Sequence, residues 1–578
     1  MIIEKSWATF GKLVIGAVLI LVGFGNVRVR LYAQLPNADS IAAYITAGEF
    51  GPALRLARQL QDPAERDRRL AEIARAQALL GARRASMATL LDIDSDLQRQ
   101  QVTQQLAGNT KGLAGGGAVA DFDTLINLIT STVAPDSWSD VGGSGAIEPY
   151  PTGVYVDASG TLHRLAPRTD NPLLKRVHQA ARRDSGNRSI KRRSALRKVS
   201  LPRLEKVLQA RHAFGLPPNE SMQNLAGIYR IKYLLVYPET GDLVIAGPAG
   251  DWCRDAEGRV VNVETKAPVL QLDDVIVLLQ NAYAANGRFG CAINPRQANL
   301  AAAQAFIDQW RNRAVRPNQR KQWVEQLRKT LGKQDIHVWG IDPTTHAART
   351  IVEADYRMKL VGMGLEDGTL GVSSYLESAK SAGADALRGM SVLRWWFTPN
   401  YKSIRTTDTH NTFALDGIGV RVLCENEMLT EAGQRIHTGR SDPLSQQFAD
   451  QFTVHFEALA AKYPIYADLR NLFDVALLAA VMHTEDLPGR IGWHMAFFRS
   501  ADACQVRRYA APREVDSVAN YVVAERSKFV AGVSGGVSVD ATRYLQHAPM
   551  KIDQYGRMEA AYEASIPQKL PADVWWWD

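Results

Sequence analysis

Cysteine is scarce: the 578 residues contain four, Cys253, Cys291, Cys424 and Cys504. That number cannot build a disulfide scaffold, although three pairings are open if the chain is exported. The four are far apart, no CxxC occurs, and no His/Cys spacing accompanies them, so a structural zinc site has no motif behind it. HExxH and the GKS/T phosphate loop are also missing, which removes the motif-based case for a zincin or a P-loop enzyme. No apolar run approaches the roughly 20 residues of a spanning helix beyond the first segment, where Leu13 to Val27 gives fifteen. Aromatic residues are absent between Arg164 and Arg211, so base stacking is unavailable there.

What is present is ordinary in bulk and uneven in detail. Apolar residues make up 46% and charged residues 22% of the chain, which argues against a disordered, collagenous or polytopic membrane protein. The length accommodates about two to four domains. The formal charge is +8, yet Arg164 to Arg211 alone holds fifteen Lys/Arg against three acids, so the remainder of the chain is acidic. Lys5 and Lys12 precede the apolar run, the pattern of a secretory signal. Cleavage after Ala33 is expected, giving a mature chain from Gln34; Arg28 and Arg30 favour the alternative, a retained anchor. Either way the body is expected outside the cytoplasm, in the periplasm or cell envelope, touching a membrane only through residues 1–33 if these stay attached.

The expected fold class is α+β, with helical hairpins followed by a mixed sheet carrying packed helices. Residues 39–92 read as hairpins: Asp39-Ser40 and Asp62-Pro63 are helix starts, and Gly48 and Gly81 are turns 33 apart. Gly48-Glu-Phe50 with Ala53 and Ala57 resembles the turn and second helix of a tetratricopeptide repeat, whose period is about 34. Ser86 stands where that motif uses Ala, and a plain bundle arm is the other reading. Gln-rich then Gly-rich residues 93–118 read as a linker. Residues 119–163 read as a small α/β unit, with a helix Asp121 to Val133 and a hairpin pairing Val154–Val156 with Thr161–Leu162; 164–221 read as a basic insertion.

Residues 222–440 are expected to form the α/β core. Its signals are a hairpin around Pro238–Asp242, a helix Leu272 to Ala285, a strand Phe289 to Ile293 and a second hairpin turning at Asp342–His346. Val352 to Leu360 alternates Val, Ala, Tyr, Met, Leu with Glu, Asp, Arg, Lys and reads as a strand with Tyr356 inward and Arg357 outward. Residues 441–485 read as a helical pair: Ser441-Asp442-Pro443 caps a stripe of Leu444, Phe448, Phe452, Phe456, Leu459 and Tyr463, broken by Pro464. Residues 486–578 close the chain as a β-containing region.

Leu125–Trp138, Val236–Pro248 and Val352–Gly368 resemble a planctomycete family of exported proteins known only as a domain of unknown function, over roughly residues 120 to 545. The resemblance implies a recurring envelope-associated module and carries no catalytic residue.

Gly532-Val-Ser534-Gly-Gly536 matches the G-x-S-x-G serine elbow, with Asp540, His547 and Asp553 crowded into the remaining residues; a glycine turn between strands is the expected reading. Gly362–Gly368 reads as a turn, and His455 as a core histidine on its helix stripe. No cofactor, metal or catalytic residue is assigned. The binding candidates are Lys191, Arg192 and Arg193 for an anionic polymer or an acidic envelope protein, with no specific nucleic acid, and Arg357, Lys359, Glu366 and Asp367 as a ligand-facing surface. The expected function is a non-enzymatic binding or assembly module; the alternative is a periplasmic hydrolase using carboxylates or Ser534.

Overall fold

A computed structural model describes residues 38–110, 146–150, 153–157, 188–310, 316–382, 389–429, 435–524, 527–567 and 570–578. The export segment, the helix expected at 121–133, residues 111–118 and the first part of the basic segment lie outside the described residues. Among the described residues no helix is long and apolar enough to cross a membrane.

The chain is an α+β protein that begins with helices α1 (Ala38–Thr46), α2 (Phe50–Arg58), α3 (Pro63–Leu79), α4 (Arg83–Leu91) and α5 (Asp96–Thr110). Asp62 caps α3 by accepting from Ala64 N, and Gly48 and Gly81 turn the two hairpins at φ 75° and 76°, the left-handed conformation that costs glycine least. Ser86 sits between α3 and α4 without a stranded hydroxyl, because Oγ donates to Ala74 O at 2.7 Å. The expected linker is helix over 96–110. Four of its polar residues, Asp96, Arg99, Gln100 and Thr103, are buried: Arg99 donates to Ile93 O at 2.7 Å and meets Gln209 of α6 (Leu201–His212). Ile41, Leu70, Ile73, Leu90 and Val102 share one core with Ala210, Ala213 and Phe214, so the helical layer is seated on the body.

Two large sheets form that body. One has seven strands in the order β18 (Met550–Ile552), β11 (Ser403–Thr406), β12 (Thr412–Asp416), β4 (Tyr233–Tyr237), β5 (Asp242–Ala249), β3 (Ser194–Ser200), β19 (Trp576–Trp577). The hairpin read around Pro238–Asp242 is β4 and β5, with Val236 opposite Leu243. Residues 194–212 of the expected basic insertion are therefore interior strand and helix. Fully buried Arg197 explains part of that: it donates to Ile190 O and Ala226 O, both at 2.7 Å, and pairs with Asp578.

The eight-stranded sheet runs β14 (Arg435–His437), β13 (Gly419–Leu429), β10 (Gly389–Asn400), β17 (Ser527–Asp540), β8 (Arg288–Pro295), β9 (Lys333–Trp339), β15 (Glu514–Asp516), and β16 (Ala519–Ala524) pairs with the first half of β17. β10 and β17 are parallel; the other pairings are antiparallel. Among the described residues there are also two small ribbons: β6 (Trp252–Arg254) pairs with β7 (Val260–Asn262), and β1 (Ala146–Tyr150) with β2 (Gly153–Asp157). Val154–Val156 are thus strand, but their partner is β1; Thr161–Leu162 lie outside the described residues.

Helices α7 (Leu272–Ala284), α8 (His346–Gly362), α9 (Pro443–Val454) and α10 (Pro464–Thr484) cover one face of this sheet. Asp442 caps α9 through Leu444 N and Ser445 N, and Pro443 and Pro464 each occupy a first helical turn. Leu393, Trp395 and Phe397 of β10 meet Phe448, Phe452 and Tyr466, with the Phe452 and Tyr466 rings 5.2 Å apart. Gly362 permits the closest approach: a Cβ there would lie 2.2 Å from Trp395.

Two expectations fail on α8. Asp342–Thr345 is not a hairpin turn but the cap of a helix, with Asp342 accepting from Thr344 N and Thr345 Oγ1 from Ala348 N. Val352 to Leu360 is helix; Val352, Ala354 and Met358 are buried as expected, but at Tyr356 and Arg357 the facing is reversed, since Arg357 is buried while Tyr356 is only half-buried.

Candidate functional site

The densest arrangement of chemistry-bearing side chains follows α8. At its first residue, His346 Nδ1 lies 2.9 Å from Asp274 Oδ2 in the first turn of α7, and Nε2 lies 3.8 Å from Asp468 Oδ2 on α10. The first turns of α7 and α8 and the second turn of α10 thus bring an imidazole between two buried carboxylates. Arg259, next to β7, donates to Asp468 Oδ2 at 2.9 Å and to Glu353 Oε1 at 2.7 Å, linking the cluster to a position two turns further along α8. Asp274 Oδ1 is buried and has no hydrogen-bond partner among the described residues. His346 keeps 21% of its side chain exposed, so solvent reaches the cluster from the imidazole side.

The electrostatics follow from this packing. Burial opposes a charged imidazole, but Asp274 and Asp468 outweigh it and hold the His346 pKa above the usual histidine value. Burial raises the Asp468 pKa, opposed by His346 and Arg259. Burial also opposes the Arg259 charge, and Glu353 and Asp468 more than restore it. An imidazole flanked by carboxylates can carry a proton between them or serve as a metal ligand; Asp274, His346 and Asp468 each offer a donor atom within 4.8 Å of the others.

Further along α8 the expected ligand surface is absent. Arg357 donates to Glu366 at 3.1 Å and to both oxygens of Glu257, with its guanidinium 4.9 Å from the Tyr463 ring. Lys359 is fully buried and lies 2.6 Å from Asp355, which is equally buried. Asp367 stays at the surface, where its backbone carbonyl accepts from Lys462 and Tyr463. These four candidates are tied inward or to neighbouring helices. Lys191, Arg192 and Arg193, in contrast, are all exposed, and Arg193 makes a loose 3.8 Å pair with Glu264.

Ser534 is neither in an elbow nor in a turn. It lies inside β17 opposite Arg394 of β10, fully buried, and donates to Glu427 Oε2 at 3.1 Å. Asp540 caps the helix Ala541–His547, His547 bonds Arg543 O, and Asp553 accepts from Met558 N, so the three groups are engaged elsewhere. His455 sits at the break between α9 and the helix Phe456–Lys462, half-buried rather than core. The four cysteines are free thiols.

Sequence reading missed the His346 cluster because its members come from three segments 72 or more positions apart, and no local spacing encodes them.

The class defined by this geometry is an α+β protein whose central helix carries buried ionic groups under a mixed sheet. Residues 291–375, from β8 through α8, match the model of a family described as a protein of unknown function, DUF1598. No curated protein and no solved structure matches the chain. His346, Asp355, Arg357, Lys359 and Glu366 fall inside the matched segment, whereas Asp274 and Asp468 lie on either side of it.

Proposed function

We propose that this is an exported, envelope-associated binding or assembly module, not an enzyme, whose contact for an anionic polymer or an acidic envelope protein is Lys191, Arg192 and Arg193. One observation carries the reading: three consecutive basic side chains stand in solvent on a backbone that buried Arg197 clamps, donating to Ile190 O at 2.7 Å and Arg192 O at 2.9 Å. A fixed cationic edge loses less entropy on contact than a floppy loop would. Export rests on the basic-then-apolar start of the chain, and intact-mass measurement of exported protein beginning at Gln34 tests it. For binding, the experiment is elution from immobilised polyphosphate against salt. Charge reversal at all three residues should shift elution to much lower salt with the melting temperature unchanged; unshifted elution sinks the proposal.

A second reading, a hydrolase using carboxylates, is favoured by the Asp274–His346 contact and not by Ser534. A broad hydrolase screen with Asp274→Asn as control separates it from the first: turnover lost in that variant supports an enzyme, and no turnover in the parent supports the binding module.

A further inference from the structure

We propose that Asp274, His346 and Asp468 form a binding site for a divalent transition metal of the zinc type, with the fourth position open to solvent on the His346 side. The donor set is one nitrogen and two carboxylate oxygens, which suits Zn²⁺ and is poorer for Ca²⁺ or Mg²⁺, ions that favour all-oxygen shells. The donors lie within 4.8 Å of one another. Ligands about 2.1 Å from a tetrahedral ion stand about 3.4 Å apart, so the trio need close by no more than about 1.4 Å.

Two observations independent of that spacing point the same way. Among the described residues Asp274 Oδ1 is buried without a hydrogen-bond partner, in a residue only 4% exposed. An orphaned buried carboxylate oxygen is costly, and a cation beside it removes the cost. Charge is the second: Asp274, Asp468 and half-exposed Glu353 bring three negative charges, and Arg259, which touches Asp468 and Glu353, returns one. Arg259 is shared further with Glu257, so the cluster carries more carboxylate than its arginine offsets, and a cation at the imidazole reduces that excess. The partial exposure of His346 supplies a path for the ion. The competing account is an imidazolium bridging the two aspartates with no metal.

The test uses the full exported chain, stripped with chelator and titrated with Zn²⁺ by calorimetry. One equivalent should bind, and Asp274→Asn and His346→Gln should each weaken binding at least about tenfold, in line with loss of a ligand. Because a substitution in this cluster can also disturb folding, diethyl pyrocarbonate modification of the unsubstituted protein gives a second readout: Zn²⁺ should slow carbethoxylation of His346 at least about tenfold while leaving exposed His437 unchanged. Absence of one-equivalent binding, binding that persists in both variants, or His346 modified at the same rate with and without Zn²⁺ each overturns the metal site; the last would also mark the imidazolium bridge as the correct account.

Discussion

Lys359 and Asp355 make the sharpest stability prediction. They stand one turn apart on α8, 2.6 Å between Nζ and Oδ2, with no exposure on either side chain. Cys291 and Trp395 belong to the same buried core, so no water screens the pair. Burial lowers the Lys359 pKa and raises that of Asp355, each opposed chiefly by its partner, so removing either one disfavours the charge on the other. Lys359→Met strands a carboxylate in that core and should cost about 3 to 5 kcal/mol; Asp355→Asn strands the ammonium and should cost about the same, less whatever the lysine recovers by shedding its proton. The double variant removes both charges at nearly constant shape and should return to within about 2 kcal/mol of the parent. Urea unfolding followed by tryptophan fluorescence reads this core, because Trp395 lies against Gly362 at the end of the same helix. A loss under about 1 kcal/mol for Lys359→Met, or single-variant costs that simply add in the double, would refute the reasoning, since independent sites add and coupled ones do not.

Glu205 gives a pH dependence. Burial raises its pKa to about 7, although Trp493 Nε1 and the Phe497 and Phe498 amides donate to it. Its stabilising contribution is complete below the ordinary carboxylate range, where folded and unfolded forms are both protonated, and falls between about pH 4.5 and 7 by up to about 3 kcal/mol as only the unfolded form ionises. Glu205→Gln should flatten that slope in denaturant titrations, and an unchanged slope assigns it elsewhere. Phe452→Ala should cost about 3 to 5 kcal/mol, because the ring is fully buried against Phe397, Phe448 and Tyr466; a loss under about 1 kcal/mol in urea unfolding would mean the site collapses around the cavity. Ser534→Ala should lower stability by about 1 to 2 kcal/mol through the lost bond to Glu427 and leave every detectable activity unchanged, as serine-directed labelling would check.

Local grammar made much of the fold legible. Asp62-Pro63 and Asp442-Pro443 announce helix starts by chemistry that acts within three residues, and the stripe from Leu444 to Leu459 buries a face regardless of what it packs on. That stripe still bends, because His455 leaves helical geometry between two helices. The residues read as linker fail for the opposite reason. Arg99, Gln100 and Thr103 read as solvated in a Gln-rich run, yet they are buried because α6 meets them, with Gln209 bonding both Arg99 and Gln100. Nothing within fifteen residues of α5 encodes a partner that lies more than a hundred positions away.

The strand read over Val352 to Leu360 shows how the same limit hid the candidate site. Strict alternation of apolar and charged residues implies a sheet only if charge means solvent. On α8 it does not: Asp355, Arg357 and Lys359 are buried, and the positions that keep some exposure are His346, Arg349, Glu353, Tyr356 and Leu360. Their spacing of three or four is the helical period, carried by exposure instead of hydrophobicity. Once a helix is enclosed on nearly every side, its charges must find buried partners, either on the helix itself, as Lys359 does on Asp355, or on other elements, as Arg357 does on Glu257 and Glu366 and His346 on Asp274 and Asp468. The alternation therefore recorded an ionic core, and the same burial that disguised the helix is what concentrates an imidazole and two carboxylates at its first turn.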